Sequence, residues 1–133
     1  MKIVIPMTGY GSRFVAAGYK ELKPLIKVHH KPIIEWVVRL FPHETDFLFI
    51  CRKEHLTNTN LKEELVRIAP MGQIVSLDTW EKRGPVNDVY RISDLIEDDK
   101  PVIVNYCDFY MTWNWQDFKE TVLDNQCEGA IPC

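Results

Sequence analysis

The pentapeptide Gly9-Tyr10-Gly11-Ser12-Arg13 is the first place where residue types and spacing can do chemistry. Two glycines one residue apart let the backbone turn tightly and aim its N–H groups at an anion, with a helix start able to follow. The group comes directly after Ile3 to Pro6, an apolar run that reads as a buried strand. Two other phosphate loops are excluded. The dinucleotide pattern Gly-x-Gly-x-x-Gly fails at Phe14, and no ribose-binding acid stands where the second strand ends in Cys51-Arg52. The Walker pattern fails because no Gly-Lys-Ser or Gly-Lys-Thr follows. An ordinary glycine turn carrying a surface arginine is the alternative, and by itself the pentapeptide leaves it open.

Ten residues beyond Arg13 stands Lys23-Pro24-Leu25. Proline stiffens this loop, so Lys23 is held in place, and a lysine and an arginine aimed at one spot neutralise a polyphosphate. The competing reading is one solvated lysine among the four at 20, 23, 27 and 31. Asp108 follows Val-Ile-Val-Asn-Tyr-Cys, a position suited to Mg2+, which takes one or two carboxylates and completes its shell with phosphate oxygens. A turn-forming aspartate is the bland alternative, and Asn105, inside the same run, reads as structural. Gly84-Pro85-Val86-Asn87-Asp88 opens a helix after a strand and can bring backbone amides near a nucleotide; as a lone helix start it is a weak signal. His29-His30 reads as a loop pair with no acid at metal-ligand spacing. Trp115 reads as core and Trp113 as a candidate pocket wall. Cys107, in an apolar strand, has no reason to be a thiolate.

The elements that must position these residues alternate. Strands are expected at Ile3–Pro6, Asp46–Cys51, Gln73–Leu77 and Val102–Cys107, with a last one beginning over Gly129–Cys133. Helices are expected over 31–41, from Glu54 to Ile68, from Pro85 to Ile96, and after an Asn114 cap, with Trp115, Phe118 and Val122 inward. Such alternation predicts an α/β fold, a Rossmann-like three-layer sandwich on a mainly parallel sheet. Ligands then bind beyond the carboxyl ends of the strands.

A chain of 133 residues has room for one domain, spanning 1–133, and its 46% hydrophobic and 26% charged content excludes disorder, collagen and coiled coil. No apolar run approaches the ~20 residues of a membrane helix, and the four cysteines at 51, 107, 127 and 133 form no Cys-x-x-Cys pair. A cytoplasmic protein with reduced thiols and no membrane partner is expected. Residues 1–39 carry +5 and the remainder −8, which repels a nucleic acid along most of the surface but draws a small anion to the N-terminal segment. A receiver-like signalling domain is set aside, since Pro6-Met7 stands where its clustered acids would be.

In order, the chain presents a strand, Gly-x-Gly-x-Arg, Lys-Pro-Leu-Ile-x-Val, Lys-Pro-Ile-Ile-Glu-Trp-Val-Val, and an apolar strand ending in Asp. This ordered set resembles the NTP-transferase family of sugar-phosphate nucleotidyltransferases, from Lys2 to about Asp124. Family members more often carry alanine or glycine at the position of Thr8, and Gly-Asp at that of Cys107-Asp108. The resemblance implies transfer of NMP from an NTP to a phosphorylated sugar or similar acceptor, with release of pyrophosphate, in capsule, lipopolysaccharide or teichoic-acid precursor synthesis. It implies that Met7, Thr8, Gly9, Tyr10, Gly11 and Ser12 hold the nucleotide, that Arg13 and Lys23 neutralise its phosphates, and that Asp108 binds Mg2+. Asp78, Gly84, Pro85, Asn87 and Asp88 would help recognise the nucleoside, with CTP or UTP favoured over other donors. Family catalytic domains usually run past two hundred residues, so the fold is expected to be a truncated one, lacking the acceptor pocket and a second metal-binding acid. A homo-oligomer or a complementing chain is the expected consequence. The alternative function is a non-catalytic nucleotide-binding or assembly module.

Overall fold

Alternation along two strands sets the layers. In the computed structural model, which describes residues 1–78, 84–96 and 99–132, Ile3, Ile5 and Met7 of strand β1 (Lys2–Met7) and Phe47, Phe49 and Cys51 of β4 (Phe47–Arg52) face one core. Val4, Leu48 and Ile50, one residue out of phase, face a second core. Strands buried on both faces belong to a parallel sheet covered by helices. The sheet runs β5-β4-β1-β6, all parallel, where β5 is Gln73–Leu77 and β6 is Val102–Val104. The first core packs under α2 (Ile33–Val38), α4 (Leu61–Ile68) and α6 (Trp115–Asp124) through Ile34, Val37, Leu61, Leu65 and Trp115. The second packs under α5 (Pro85–Tyr90) and the 3-10 turn Ser93–Leu95 through Val89 and Ile92. This is the three-layer α/β sandwich expected.

Several element boundaries differ from expectation, each for a local reason. The helix expected over 31–41 begins at Ile33, because Lys31–Pro32 (β3) pairs antiparallel with Lys27–Val28 (β2). His29 and His30 form the turn between them, with φ of 47° and 65°, the positive pair that a tight two-residue hairpin favours. The helix expected from Glu54 to Ile68 is two, α3 (Lys53–Asn58) and α4. Thr59 breaks it: its hydroxyl donates to the His55 carbonyl at 2.6 Å and accepts from the Leu61 amide at 3.2 Å. Past Tyr90 the third helix gives way to the 3-10 turn, and Val86 and Tyr90, apolar and at helical spacing with Val89 and Ile96, are exposed, because Asp88 and Ile92 take the buried stripe. β6 stops at Val104; Asn105 still donates to Val4, and the chain then turns at Cys107-Asp108. Residues 129–132 join neither sheet. They line a groove of about 910 Å3 beside β6, shared with Trp113 and Phe118, and Pro132 has no N–H to give a ladder. Asn114 caps α6 as expected, accepting from the Asp117 amide at 3.3 Å.

One buried carboxylate ties α2 to α4. Glu35 accepts from Arg67 at 2.8 Å and Arg39 at 3.0 Å, with Lys31 at 3.4 Å. The Arg67 hydrogen bond, followed by those from Arg39 and Lys31, holds its pKa below the ordinary carboxylate value against the opposing effect of burial. A lowered folded-state pKa gives stability that is present above the unfolded carboxyl value and lost as pH falls through the folded one. Glu35→Gln should therefore cost about 1 kcal/mol at pH 7, since its partners are half exposed. In urea unfolding from pH 7 to pH 3, the gap from the parent should close at the acid end; a gap that persists at pH 3 would mean packing is responsible.

Candidate functional site

β1 is a middle strand: the chain passes from it to β4 on one side and comes back from β5 to place β6 on the other. The loops at its carboxyl end splay apart and open a crevice. A cleft of about 560 Å3 lies there, walled by the loop after β1, Lys23-Pro24, Arg52, the start of α5, and Tyr106 to Asp108.

The loop is shaped by Gly11. Its φ of 62° and ψ of 32° are left-handed, and a Cβ there would meet the Lys23 Cβ at 3.3 Å. Glycine therefore serves both the turn into α1 (Ser12–Ala16) and the close passage of the lysine stem. Among the described residues, the amides of Gly9, Gly11 and Ser12 donate to no protein acceptor. Thr8 is tied on two sides. Its hydroxyl donates to the buried Asp88 carboxylate of α5, and its carbonyl accepts from Arg52 Nε at 3.1 Å. Arg52, at the end of β4 and also buried, donates from Nη1 to the Tyr10 hydroxyl at 2.6 Å and lies 3.8 Å from the Tyr10 ring centroid.

Across the cleft, Lys23 opens a 3-10 turn (Lys23–Leu25) anchored by the buried Pro24. Its Nζ lies 2.6 Å from Asp108 Oδ2 and 5.5 Å from the Phe14 ring centroid. Arg13 is exposed on the cleft wall, and among the described residues it makes no ion pair. Arg13, Lys23 and Arg52 face Asp88 and Asp108, which leaves one net positive charge. Such a cleft attracts an anion.

The structure thus brings Met7, Thr8, Gly9, Tyr10, Gly11, Ser12, Arg13, Lys23, Gly84, Pro85, Asp88 and Asp108 around one cleft. Asp78 stands apart, exposed, with its carboxylate 3.8 Å from Lys53 Nζ, and half-buried Asn87 does not line the cleft. Arg52, Phe14 and Tyr106 line it without having been singled out. For Arg52 the signal was present: an arginine closing the buried strand Phe-Leu-Phe-Ile-Cys, at the end where ligands bind.

Among the described residues, no three His, Cys, Asp or Glu side chains come together as a metal cage. A cation here would have Asp108, a hard oxygen donor, and its shell would need phosphate oxygens; that fits Mg2+. His55 is buried in α3, and burial, then the nearby Arg52 charge, lower its pKa, so it is neutral behind the loop. Burial pushes Cys51 up to about 12 and Cys107 up to about 11, so neither is a nucleophile at neutral pH. Cys127 is exposed, and Cys133 lies outside the described residues. Iodoacetamide at pH 8 should alkylate Cys127 in the folded protein and reach Cys51 and Cys107 only after denaturation, as read by peptide mass mapping. Rapid labelling of Cys107 in the native state would show that this cleft wall opens.

No protein-family model matches the sequence, and no curated protein matches it. Solved structures do. A nucleoside-diphosphate-sugar pyrophosphorylase from Vibrio cholerae RC9 aligns at 26% identity and TM-score 0.60, over 83% of this chain and 50% of its own. A protein from Bacillus anthracis assigned as a glucose-1-phosphate thymidylyltransferase aligns at 21% identity and TM-score 0.74, over 97% and 52%. A UDP-glucose pyrophosphorylase complexed with UDP-glucose aligns at 18% and 0.64, over 95% and 54%. The chain spans about half the length of these solved chains. Among the described residues no helix is long and apolar enough to cross a membrane. In fold, as in the order of its motifs, the chain resembles the N-terminal portion of the sugar nucleotidyltransferases.

Proposed function

We propose that this chain binds a nucleoside triphosphate in the cleft at the carboxyl end of β1 and serves nucleotidyl transfer to a phosphorylated small molecule. The observation that carries the reading is the convergence of the Gly9–Gly11 loop, Arg13, Lys23 and Asp108 on one crevice. Unpartnered loop amides suit phosphate oxygens, and the two flexible cations suit the charge of a triphosphate and of departing pyrophosphate. The reaction is in-line attack by an acceptor phosphate oxygen on the α-phosphorus, where crowded negative charge is the obstacle. Mg2+, held by Asp108, would supply further charge neutralisation when bound. The start of α5, from Gly84 to Asp88, forms the wall nearest the nucleoside. CTP or UTP is the favoured donor, a sugar phosphate or similar head group the acceptor, and a capsule or lipopolysaccharide precursor the product; these finer choices rest on the resemblance.

Calorimetric titration with CTP, UTP, GTP, ATP and dTTP, with and without Mg2+, tests the reading. Tight binding of at least one nucleotide is expected with Mg2+, weakened about tenfold by Arg13→Ala and likewise by Lys23→Ala. Variants that bind as well as the parent would overturn the assignment of those side chains. Binding without pyrophosphate release on adding acceptor phosphates would favour a non-catalytic nucleotide-binding module.

The Lys23–Asp108 pair adds a separable consequence. At 2.6 Å the ammonium occupies the place a cation would take on the carboxylate. Lys23→Met should therefore tighten Mn2+ binding in the absence of nucleotide while weakening binding of the nucleotide itself, read by electron paramagnetic resonance of free Mn2+. Unchanged Mn2+ affinity would remove Asp108 from the metal role.

A further inference from the structure

Arg52 is a buried charge on the wall of the cleft, and burying a guanidinium is costly unless its donors and its charge are answered. Here the answers come from the loop after β1. Nε donates to the Thr8 carbonyl at 3.1 Å, Nη1 donates to the Tyr10 hydroxyl at 2.6 Å, and the guanidinium lies 3.8 Å from the centroid of the Tyr10 ring. Among the described residues it also pairs with Glu54 at 3.9 Å, whose side chain is half exposed. The Thr8 hydroxyl continues the chain of contacts to the Asp88 carboxylate at the start of α5. The planar fork of an arginine thus grips one backbone carbonyl and one side chain two residues apart, a geometry that a lysine does not reproduce.

We infer that Arg52 is a positioning residue: it holds Thr8 to Tyr10 in the conformation that presents the Gly9–Gly11 amides to a phosphate group, and it locks that loop to α5 through Thr8. The inference deepens the nucleotide reading and rests on it for its ligand, while the ordering of the loop stands independently. Preorganised amides cost nothing to arrange on binding, whereas a loop released from Arg52 has to be ordered by the ligand, and affinity falls accordingly.

Three variants separate positioning from general stability. Arg52→Gln removes the fork, Tyr10→Phe removes only the hydroxyl that accepts from Nη1, and Glu35→Gln weakens a remote helix contact. Backbone 15N order parameters of residues 8–11 in the nucleotide-free protein should fall below about 0.6 in Arg52→Gln, fall less in Tyr10→Phe, and stay at the parent value in Glu35→Gln. Affinity for the nucleotide the parent binds, measured with Mg2+, should fall about tenfold in Arg52→Gln. It should fall less in Tyr10→Phe, the two effects being non-additive in the double variant, and Arg52→Lys should restore little. Parent-like order parameters in Arg52→Gln, or parent-like affinity, overturn the inference. If Arg52→Gln does not fold, Tyr10→Phe decides on the same two readouts. If the parent binds no nucleotide while residues 8–11 loosen in Arg52→Gln but not in Glu35→Gln, loop positioning stands and the nucleotide reading falls.

Discussion

The reversal of crossover direction at β1 is the constraint on which everything else depends. A central strand with parallel neighbours on both sides must send its own chain one way and receive a later strand on the other. Loops that diverge in this manner cannot close over the strand ends, so a crevice is left where three or four segments from distant parts of the sequence meet. The loop after β1, Arg52 from β4, Asp88 from α5 and Asp108 after β6 share that crevice for this reason. The two cores serve the same arrangement. They bury β1 and β4 on both faces, and that rigidity keeps the carboxyl ends in fixed register, from Ile3 opposite Phe47 to Met7 opposite Cys51.

The charges inside the crevice fall into two groups that behave differently. Asp88 and Arg52 are buried and joined through Thr8, so removing Asp88 takes an acceptor from the Thr8 hydroxyl and removing Arg52 takes a donor from the Thr8 carbonyl. They are fixed parts of the scaffold. Lys23, Asp108 and Arg13 sit at the solvent side, where a partner can be exchanged at lower cost. Lys23, paired with Asp108 beside the unpartnered loop amides, is the contact that the proposed nucleotide and cation would divide between them. The buried charges shape the cleft, and the solvent-side ones can change partners.

Most of this was legible in the sequence because it depends on short-range signals. The two-residue alternation of Ile3 to Met7 and Phe47 to Cys51 reads as doubly buried strand, and glycine at 9 and 11 after a strand reads as a tight turn at the end where ligands bind. The boundaries that shifted did so through side-chain hydrogen bonds and tertiary partners that a periodic pattern does not contain. Thr59 capping back onto His55 divides one amphipathic run into two helices. Asp88 takes a buried stripe that Val86 and Tyr90 would have claimed by hydropathy, because Thr8 offers it a hydroxyl from 80 residues away. The resemblance implies a place near the nucleoside for Asp78, while its carboxylate is exposed and lies 3.8 Å from Lys53 Nζ.

At two positions the sequence departs from the pattern it resembles. Where that pattern has alanine or glycine before the first glycine, this chain has Thr8, whose hydroxyl is satisfied by Asp88 and whose carbonyl is satisfied by Arg52. A small residue there would leave Asp88 buried without that donor. Cys107 in place of glycine is likewise accommodated: it is buried against the core, its thiol held protonated, and it leaves the turn to Asp108 intact. Thr8 and Cys107 both line the cleft, so each replacement adds a side chain to its wall, and each is held there by the scaffold, Thr8 through Asp88 and Arg52 and Cys107 by burial in the core. The wall thus differs from the pattern where its side chains are fixed and matches it at Gly9, Gly11, Arg13 and Lys23, the residues on which the nucleotide proposal rests.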